Sequence, residues 1–507
     1  MTTTTTDMFD IVVVGGGING AGIAADAAGR GLKVLLADAS DLGGATSSAS
    51  SKLIHGGLRY LEQYEFRLVR EALGEREVLL KAAPHIVWPL EFVLPHVPGM
   101  RPRPVLRAGL FLYDHLSQRR SLGGSRALDL TASSAGRPLN QDLHHGFTYW
   151  DCWVDDARLV IANAIAARER GATVLPRTAV TGLAVAGDAW RVTLGSGADK
   201  RVVPARVVVN AAGPWVDQVA GLVEGSASNG SLPAIRLVKG SHIVVPRIPG
   251  ADTAYIFQNT DGRVVFALPY EGAFTLIGTT DRPYDGDPRA VSSDASDDAY
   301  LLDVANRYFS IPLAAGDIIW RFSGVRPLDD DGSANPSKVS RDYRLQLDTG
   351  AGPPLLHVIG GKITTYRRLA EAALDLLKPH LGMGPAWTGH APLPGGEIGA
   401  QPYDQWFEDL VRRRRGIARD DLHRLARRYG SRIDQLLGDA RSVSDLGADL
   451  GGGLRAREVA YLKVNEWAST ASDVVWRRTK AALHVPAADR QRLESAVAAM
   501  LDNTPTS

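Results

Sequence analysis

The sequence predicts an α/β chain with a Rossmann-like nucleotide-binding unit, an antiparallel-sheet region and an all-helical C-terminal segment. Three observations carry this prediction: a strand, glycine turn, helix and strand in succession over residues 10–38, short β-runs between turns from residue 235 to about residue 346, and a string of helical patterns after residue 385.

The first unit begins with the strand residues Val12, Val13 and Val14 and then Gly15, Gly16 and Gly17, followed by Asn19 and Gly20 at the head of an Ala-rich helix. Gly15 permits the tight turn, Gly17 lets the backbone approach a pyrophosphate, and Gly20 lets the helix sit close on the strand. The helix N-terminus then faces the phosphates. Gly31 stops the helix, and a second strand, VLLAD over residues 34–38, ends in Asp38. A carboxylate there accepts from a ribose 2′-hydroxyl and repels a 2′-phosphate, so NADP is disfavoured. These residues do not separate FAD from NAD.

Further along, residues 66–82 have helical spacing. Residues 84–104 are rich in proline, which predicts a break in regular structure and a domain boundary. Residues 155–170 read as a helix, 171–175 as a strand, and 178–185 with 190–194 as a small antiparallel meander. Residues 206–210 form a buried strand running into Ala211, Ala212, Gly213, Pro214 and Trp215, where small residues let the backbone pass close to the dinucleotide. The β-runs 241–246, 263–268 and 274–279 suggest a substrate-facing sheet, and a strand at 357–361 followed by a helix at 363–377 returns to the nucleotide domain. The expected organisation is a discontinuous nucleotide-binding domain (1–90, 151–235 and 350–380), a substrate domain (91–150 and 236–349) and a helical domain (386–507) with helices near 405–414, 420–429 and 456–467.

Composition narrows the function. At 507 residues the chain needs two or three domains, and its 57 Lys and Arg against 56 Asp and Glu leave a charge of +1, so nothing global calls for nucleic acid. The single cysteine, Cys152, excludes an internal disulfide framework and fits a reducing compartment, the cytoplasm. The threonine tract before Asp10 has neither the basic nor the apolar region of a targeting signal and reads as a frayed tail, and no apolar run is long enough to span a bilayer. No metal is predicted, because His144, His145 and Cys152 lack ligand spacing, and the basic run 412–415 has no interleaved aromatics to bind nucleic acid.

The motifs GGGINGAG (15–22), ATSSASSKLIHGGLRYL (45–61), DCWVDDAR (151–158), KGSHIVVP (239–246), GTTD (278–281), SGVRP (323–327) and GGKITTYR (360–367) occur in one order, followed by VSDLG (443–447) and WRRTK (476–480). Together, over essentially the whole chain, they resemble the quinone-linked, aerobic-type FAD-dependent glycerol-3-phosphate dehydrogenases. The resemblance implies FAD as the dinucleotide, in a domain of the glutathione-reductase/D-amino-acid-oxidase type. It also implies oxidation of sn-glycerol 3-phosphate to dihydroxyacetone phosphate, electron transfer to a membrane quinone, peripheral attachment to the inner face of the cell membrane and a homodimer. Two places depart from the family pattern: Asp38 stands where such flavoproteins often carry Glu, and residues 225–231 form a Ser/Asn/Gly loop.

Flavin oxidation of a secondary alcohol requires a hydride path, a proton acceptor and an anion clamp. Arg59, Arg326 and Lys362, with the Tyr60 hydroxyl, supply the clamp, since guanidinium and ammonium groups suit a phosphate ester. His242 is the preferred general base, with an arginine or an ordered water as the alternative. Catalytic roles therefore fall to His242, Arg326 and Lys362. FAD contacts are expected from Gly15, Gly16, Gly17, Asn19, Gly20, Asp38, Thr46, Ser47, Ser48, Ser51, Lys52, His55, Gly56, Gly57, Ala212, Gly213, Gly361, Lys362, Thr364 and Thr365. The serine run also suits plain helix capping. The helix opened by residues 360–365 directs its N-terminal dipole at negative charge on the reduced ring.

For the membrane, Arg101, Arg103, Arg107, Arg119 and Arg120 flank an apolar patch at 106–116, a pattern suited either to an anionic leaflet or to a buried helix with basic ends. Rival functions are a glycerol-3-phosphate oxidase, which shares these motifs but gives its electrons to O₂, an amine oxidase of the glycine-oxidase type, which shares the FAD fold but needs no three cations, and a non-catalytic flavin-binding sensor.

Overall fold

A computed structural model describes residues 3–4, 8–118, 121–224, 235–259, 261–329, 342–350 and 352–504. The expected loop at 225–231 and the arginines at 119 and 120 lie outside the described residues.

The nucleotide unit forms as its sequence dictates. Phe9–Val14, Val34–Ala37 and Thr173–Leu175 pair in parallel on one side, and Arg201–Asn210 and Leu355–Gly360 continue the sheet on the other. Tyr343–Asp348 closes that edge antiparallel. A parallel sheet is covered on both faces, which is why its central strand is a run of valines. Ile11 and Val13 pack on the helices Ile18–Gly29, Asp156–Glu169 and Tyr366–Leu377, while Val12 and Val14 face the meander strands Val180–Ala186 and Ala189–Leu194 through Trp190 and Val192. Small residues bring these helices together: a Cβ on Gly22 would lie 2.6 Å from the Tyr366 ring.

A second, mostly antiparallel sheet lies beyond it. Its order is Arg282–Pro283, Ile235–Pro246, Phe274–Gly278, Val264–Tyr270, Ala254–Gln258, Val87–Pro95, His145–Val154 and Leu53–Ile54, with Trp320–Asp329 paired antiparallel to residues 235–244 of Ile235–Pro246. One face packs on the helix Ala295–Tyr308 through Ile243, Val245 and Phe257. The opposite face carries Phe266, Trp320 and Phe322.

Two expectations change. The Pro-rich stretch does not break regular structure but contains the strand Val87–Pro95. Pro89 and Pro95 lie outside Phe92 and Val93, the two positions paired on both sides, and a strand tolerates proline there. The N-terminal tail is also not simply frayed, because Thr3 and Thr4 add a parallel pairing to Arg201 and Val202 at the end of a long strand.

The C-terminal helices Tyr403–Arg413, Arg419–Tyr429, Ala456–Glu466 and Arg490–Asn503 enclose a core of their own around Phe407, Leu422, Leu462 and Val497, with one small hairpin of Asp449–Gly451 and Leu454–Arg455.

Candidate active site

Between the two sheets runs a cavity of about 1130 Å³. The structure brings most of the sequence-predicted residues onto its wall: Gly15, Gly17, Asn19, Asp38, Thr46, Ser47, Ser48, Ser51, Lys52, His55, Gly57, Arg59, Tyr60, Ala212, Gly213, Arg326, Gly361, Lys362 and Thr364. Gly16, Gly20, Gly56, Thr365 and His242 are not on that wall and sit behind it.

At the nucleotide end, backbone contacts explain the glycines. Gly15 has φ +107°, and a Cβ there would lie 2.5 Å from the Ala211 carbonyl oxygen. A Cβ on Gly20 would lie 1.8 Å from the Gly15 carbonyl oxygen, so only glycine permits this approach of helix to turn. The Ile18 N–H donates to Ser47 Oγ at 2.9 Å, which makes Ser47 a remote cap of the fingerprint helix. Asp38 accepts from the Gly16 N–H at 2.6 Å and from the Ser40 N–H at 2.7 Å. Burial pushes its pKa up, against the opposing pull of these donors. Asn19 donates to the Gly360 carbonyl at 3.1 Å, whereas its Oδ1 and the Trp215 Nε1 are buried without partners on residues that line the cavity. A helix N-terminus, a glycine turn and two orphaned polar groups at one end of a long cavity fit a dinucleotide such as FAD.

Towards the second sheet, the 46–52 loop is largely engaged with the protein itself. Thr46 donates to the Val325 carbonyl at 2.6 Å, and Ser48 to the Ala45 carbonyl at 3.3 Å. Lys52 pairs with the buried Asp156 at 2.7 Å and lies 5.2 Å from the Phe322 ring centroid, so its ammonium is held by the protein itself. Ser50, which sequence reasoning passed over, donates to the same carboxylate at 2.7 Å. The His55 N–H donates to Thr364 Oγ1 at 3.3 Å, which joins the HGG turn to the GGKITT turn.

The three cations expected to form a clamp line this one cavity. Lys362 Nζ lies 3.6 Å from the centroid of the Tyr60 ring. Arg326 is held by Asp281 of the GTTD motif and by Thr279 Oγ1 at 3.4 Å, and Arg59 lies on the wall beside Tyr60. His242 is only 1 % exposed. Its ring stacks on Phe322 at 4.7 Å, its Nδ1 has no partner, and its Nε2 is 2.9 Å from Ser51 Oγ. Burial above all, then Arg326 and Lys52, holds its pKa well below the usual histidine range, so the imidazole is neutral. The general base expected from the sequence, His242, therefore does not itself reach the cavity, and the Ser51 hydroxyl stands between the two.

Sequence reasoning assigned no site role to the C-terminal segment, yet Trp476, Arg477 and Lys480 of the WRRTK motif line the cavity. Trp476 stacks on Trp320 at 4.8 Å, and Lys480 pairs with Asp155. The motif was the only available signal, and its spacing carries no chemistry by itself.

The fold and the cavity define an FAD-dependent oxidoreductase. Residues 10–367 match the family model described as FAD dependent oxidoreductase, and residues 386–505 match the C-terminal domain of alpha-glycerophosphate oxidase. The chain is 54% identical over 490 residues to glycerol-3-phosphate dehydrogenase of Pseudomonas aeruginosa, covering 96% of this chain and 94% of that protein. It is 51% identical over 485 residues to D-erythritol 1-phosphate dehydrogenase of Brucella abortus, covering 95% and 96% of the two chains. The solved glycerol-3-phosphate dehydrogenase of Bacillus halodurans, complexed with FAD, superimposes with a TM-score of 0.78 at 29% identity and covers 98% of this chain and 91% of that one. The chain belongs to the FAD-dependent glycerol-3-phosphate dehydrogenase family, and its cofactor is FAD.

Proposed function

We propose that the enzyme oxidises sn-glycerol 3-phosphate to dihydroxyacetone phosphate and delivers the electrons to a membrane quinone. The observation that carries this reading is that Arg59, Tyr60, Arg326 and Lys362 line the same cavity as the dinucleotide turn. FAD, when bound, supplies the hydride acceptor. The chain's own residues supply the rest. Arg59, Arg326 and Lys362 neutralise a phosphate ester, with Arg326 oriented by Asp281 and Lys362 by the Tyr60 ring. With its proton on Nδ1, the neutral His242 accepts from Ser51 at Nε2, so the substrate hydroxyl proton passes to Ser51 Oγ as the Ser51 proton moves to His242.

Attachment to an anionic membrane surface is part of the same reading. Among the described residues no helix is long and apolar enough to cross a membrane. The helix Arg103–His115 buries only Leu110 and Tyr113, leaving Val105, Phe111 and Leu112 exposed beside Arg103 and Arg107. A helix with basic residues and an uncovered apolar stripe suits the bilayer interface, where a quinone is accessible.

The test is the anaerobic visible spectrum of the holoprotein with sn-glycerol 3-phosphate, D-erythritol 1-phosphate or glycine. Bleaching of the flavin band by glycerol 3-phosphate, followed by recovery on adding a soluble quinone, is the expected result. A band bleached only by the four-carbon phosphate, or only by glycine, overturns the substrate assignment, and recovery with O₂ but not quinone overturns the acceptor.

A further inference from the structure

The loop that follows the second strand of the nucleotide unit, residues 38–48, supplies a long stretch of cavity wall, including Asp38, Ser40, Gly43, Thr46 and Ser47. It contains one buried carboxylate, Asp41, which is 2 % exposed and does not itself line the cavity. Both side-chain oxygens of Asp41 are taken by the C-terminal domain. Arg478, with a fully buried side chain, donates to Oδ1 and Oδ2 at 2.8 Å each, and Arg477 Nε donates to Oδ2 at 2.8 Å. Arg478 also donates to the Glu466 carbonyl at 2.9 Å, which ties it back to the end of the helix Ala456–Glu466.

The neighbouring residue of the loop is held from the same side. The Arg177 N–H donates to the Ser40 carbonyl at 2.8 Å, while the Arg177 guanidinium donates to both oxygens of Asp473 at 2.8 and 2.7 Å. Asp473 in turn pairs with Arg477. Inside the loop, Gly43 N–H donates to the Gly16 carbonyl at 3.0 Å, and Ser47 caps the fingerprint helix. A displacement of Asp41 is therefore felt by the glycine turn and by the helix N-terminus, the two features that receive a pyrophosphate.

We propose that the C-terminal domain acts as a clamp on the nucleotide loop, with Arg478 and Arg477 as positioning residues that fix Asp41, so that retention of FAD depends on a domain outside the dinucleotide-binding fold. A buried carboxylate deprived of its bidentate arginine keeps only the Arg477 Nε donor on Oδ2, and the uncompensated oxygen favours loop conformations that bring it to water over the cavity-lining one. The proposal concerns cofactor retention and stands whichever phosphate is the substrate.

The experiment follows flavin release from the holoprotein, read as the rise of free-FAD fluorescence after dilution, alongside the unfolding temperature. Arg478→Met is expected to release FAD at least tenfold faster than the parent at a temperature where both remain folded by circular dichroism. Arg432→Gln serves as the comparison, because Arg432 pairs with Glu169 between the same two bodies and touches no part of the loop. Its release rate is expected to stay within twofold of the parent even if it lowers the unfolding temperature. Should Arg478→Met not fold, Asp41→Asn, which weakens the same pair from a side chain off the cavity wall, carries the test with an expected release several-fold faster. Unchanged release in the folded Arg478 or Asp41 variant overturns the proposal, and so does equal acceleration by Arg432→Gln, which would reduce the effect to general loosening between domains.

Discussion

His85 makes the junction between the nucleotide domain and the helical domain sensitive to acid. The side chain is 2 % exposed and wedged against two turns of the C-terminal part: a Cβ on Gly395 would lie 2.5 Å from its Nε2, and one on Gly430 would lie 2.8 Å from its Cγ. Burial is the main cause that pushes its pKa down to about 3, and the charges of Arg158 and Arg427 add to it while Asp155 opposes. The unfolded chain titrates this group near 6.5, so between pH 6.5 and about 3 the unfolded state binds more protons than the folded one. Stability from this group is therefore complete above pH 6.5 and falls with acidification by about 1.4 kcal/mol per pH unit. Going from pH 7 to pH 5 crosses about 1.5 of those units, which removes about 2 kcal/mol. The assay is urea unfolding at pH 7 and pH 5 for the parent and for His85→Leu, which cannot titrate and deletes an Nδ1 that has no partner. The loss between the two pH values is expected to be about 2 kcal/mol smaller in the variant. An equal loss in both proteins would show that His85 is not protonated on unfolding in this range, and the argument from burial would fail.

Two further outcomes follow from the site and its surroundings. Ser51→Ala removes the hydroxyl that joins His242 to the cavity and is expected to lower kcat about a hundredfold with little change in KM, while Ser51→Thr restores most of it; kcat within threefold of the parent in Ser51→Ala would exclude the relay. In flotation with anionic vesicles at increasing lipid concentration, Arg107→Glu replaces one attraction of about 1 kcal/mol with a repulsion of similar size, so the vesicle-binding constant is expected to fall by about thirtyfold, and absence of binding by the parent would refute surface attachment.

The nucleotide half of the molecule was legible because its constraints are local. Gly15 and Gly20 answer to contacts within the turn or at the end of the adjacent strand, and the valines of Phe9–Val14 answer to two covered faces, so residue type and order suffice. The proline-rich stretch misled because the cost of proline depends on how many neighbours a strand has, and Val87–Pro95 has two partners only at Phe92 and Val93. His242 was legible as a residue of the sheet but not as one lying behind the wall. Its strand position places it on the same side as Gly240, which does line the cavity, and what buries it is the pairing with Gly278 and Phe322. Gly278 is the space the imidazole occupies, since a Cβ there would lie 2.1 Å from the ring.

The ion pairs between the C-terminal domain and the nucleotide loop lay furthest from any sequence signal. Arg478 and Asp41 are 437 positions apart, and neither sits in a pattern whose period implies a partner. A buried arginine in a polar motif reads, from sequence alone, as a solvated charge. Once the fold brings the two together, the same residues become informative, because a fully buried guanidinium persists only where carboxylates and carbonyls satisfy it, and here those groups belong to the loop whose other residues line the FAD cavity and to the helix that ends at Glu466. The helical domain thus meets the nucleotide loop through charge and the second sheet through the Trp476–Trp320 stack, although most of its apolar core is its own.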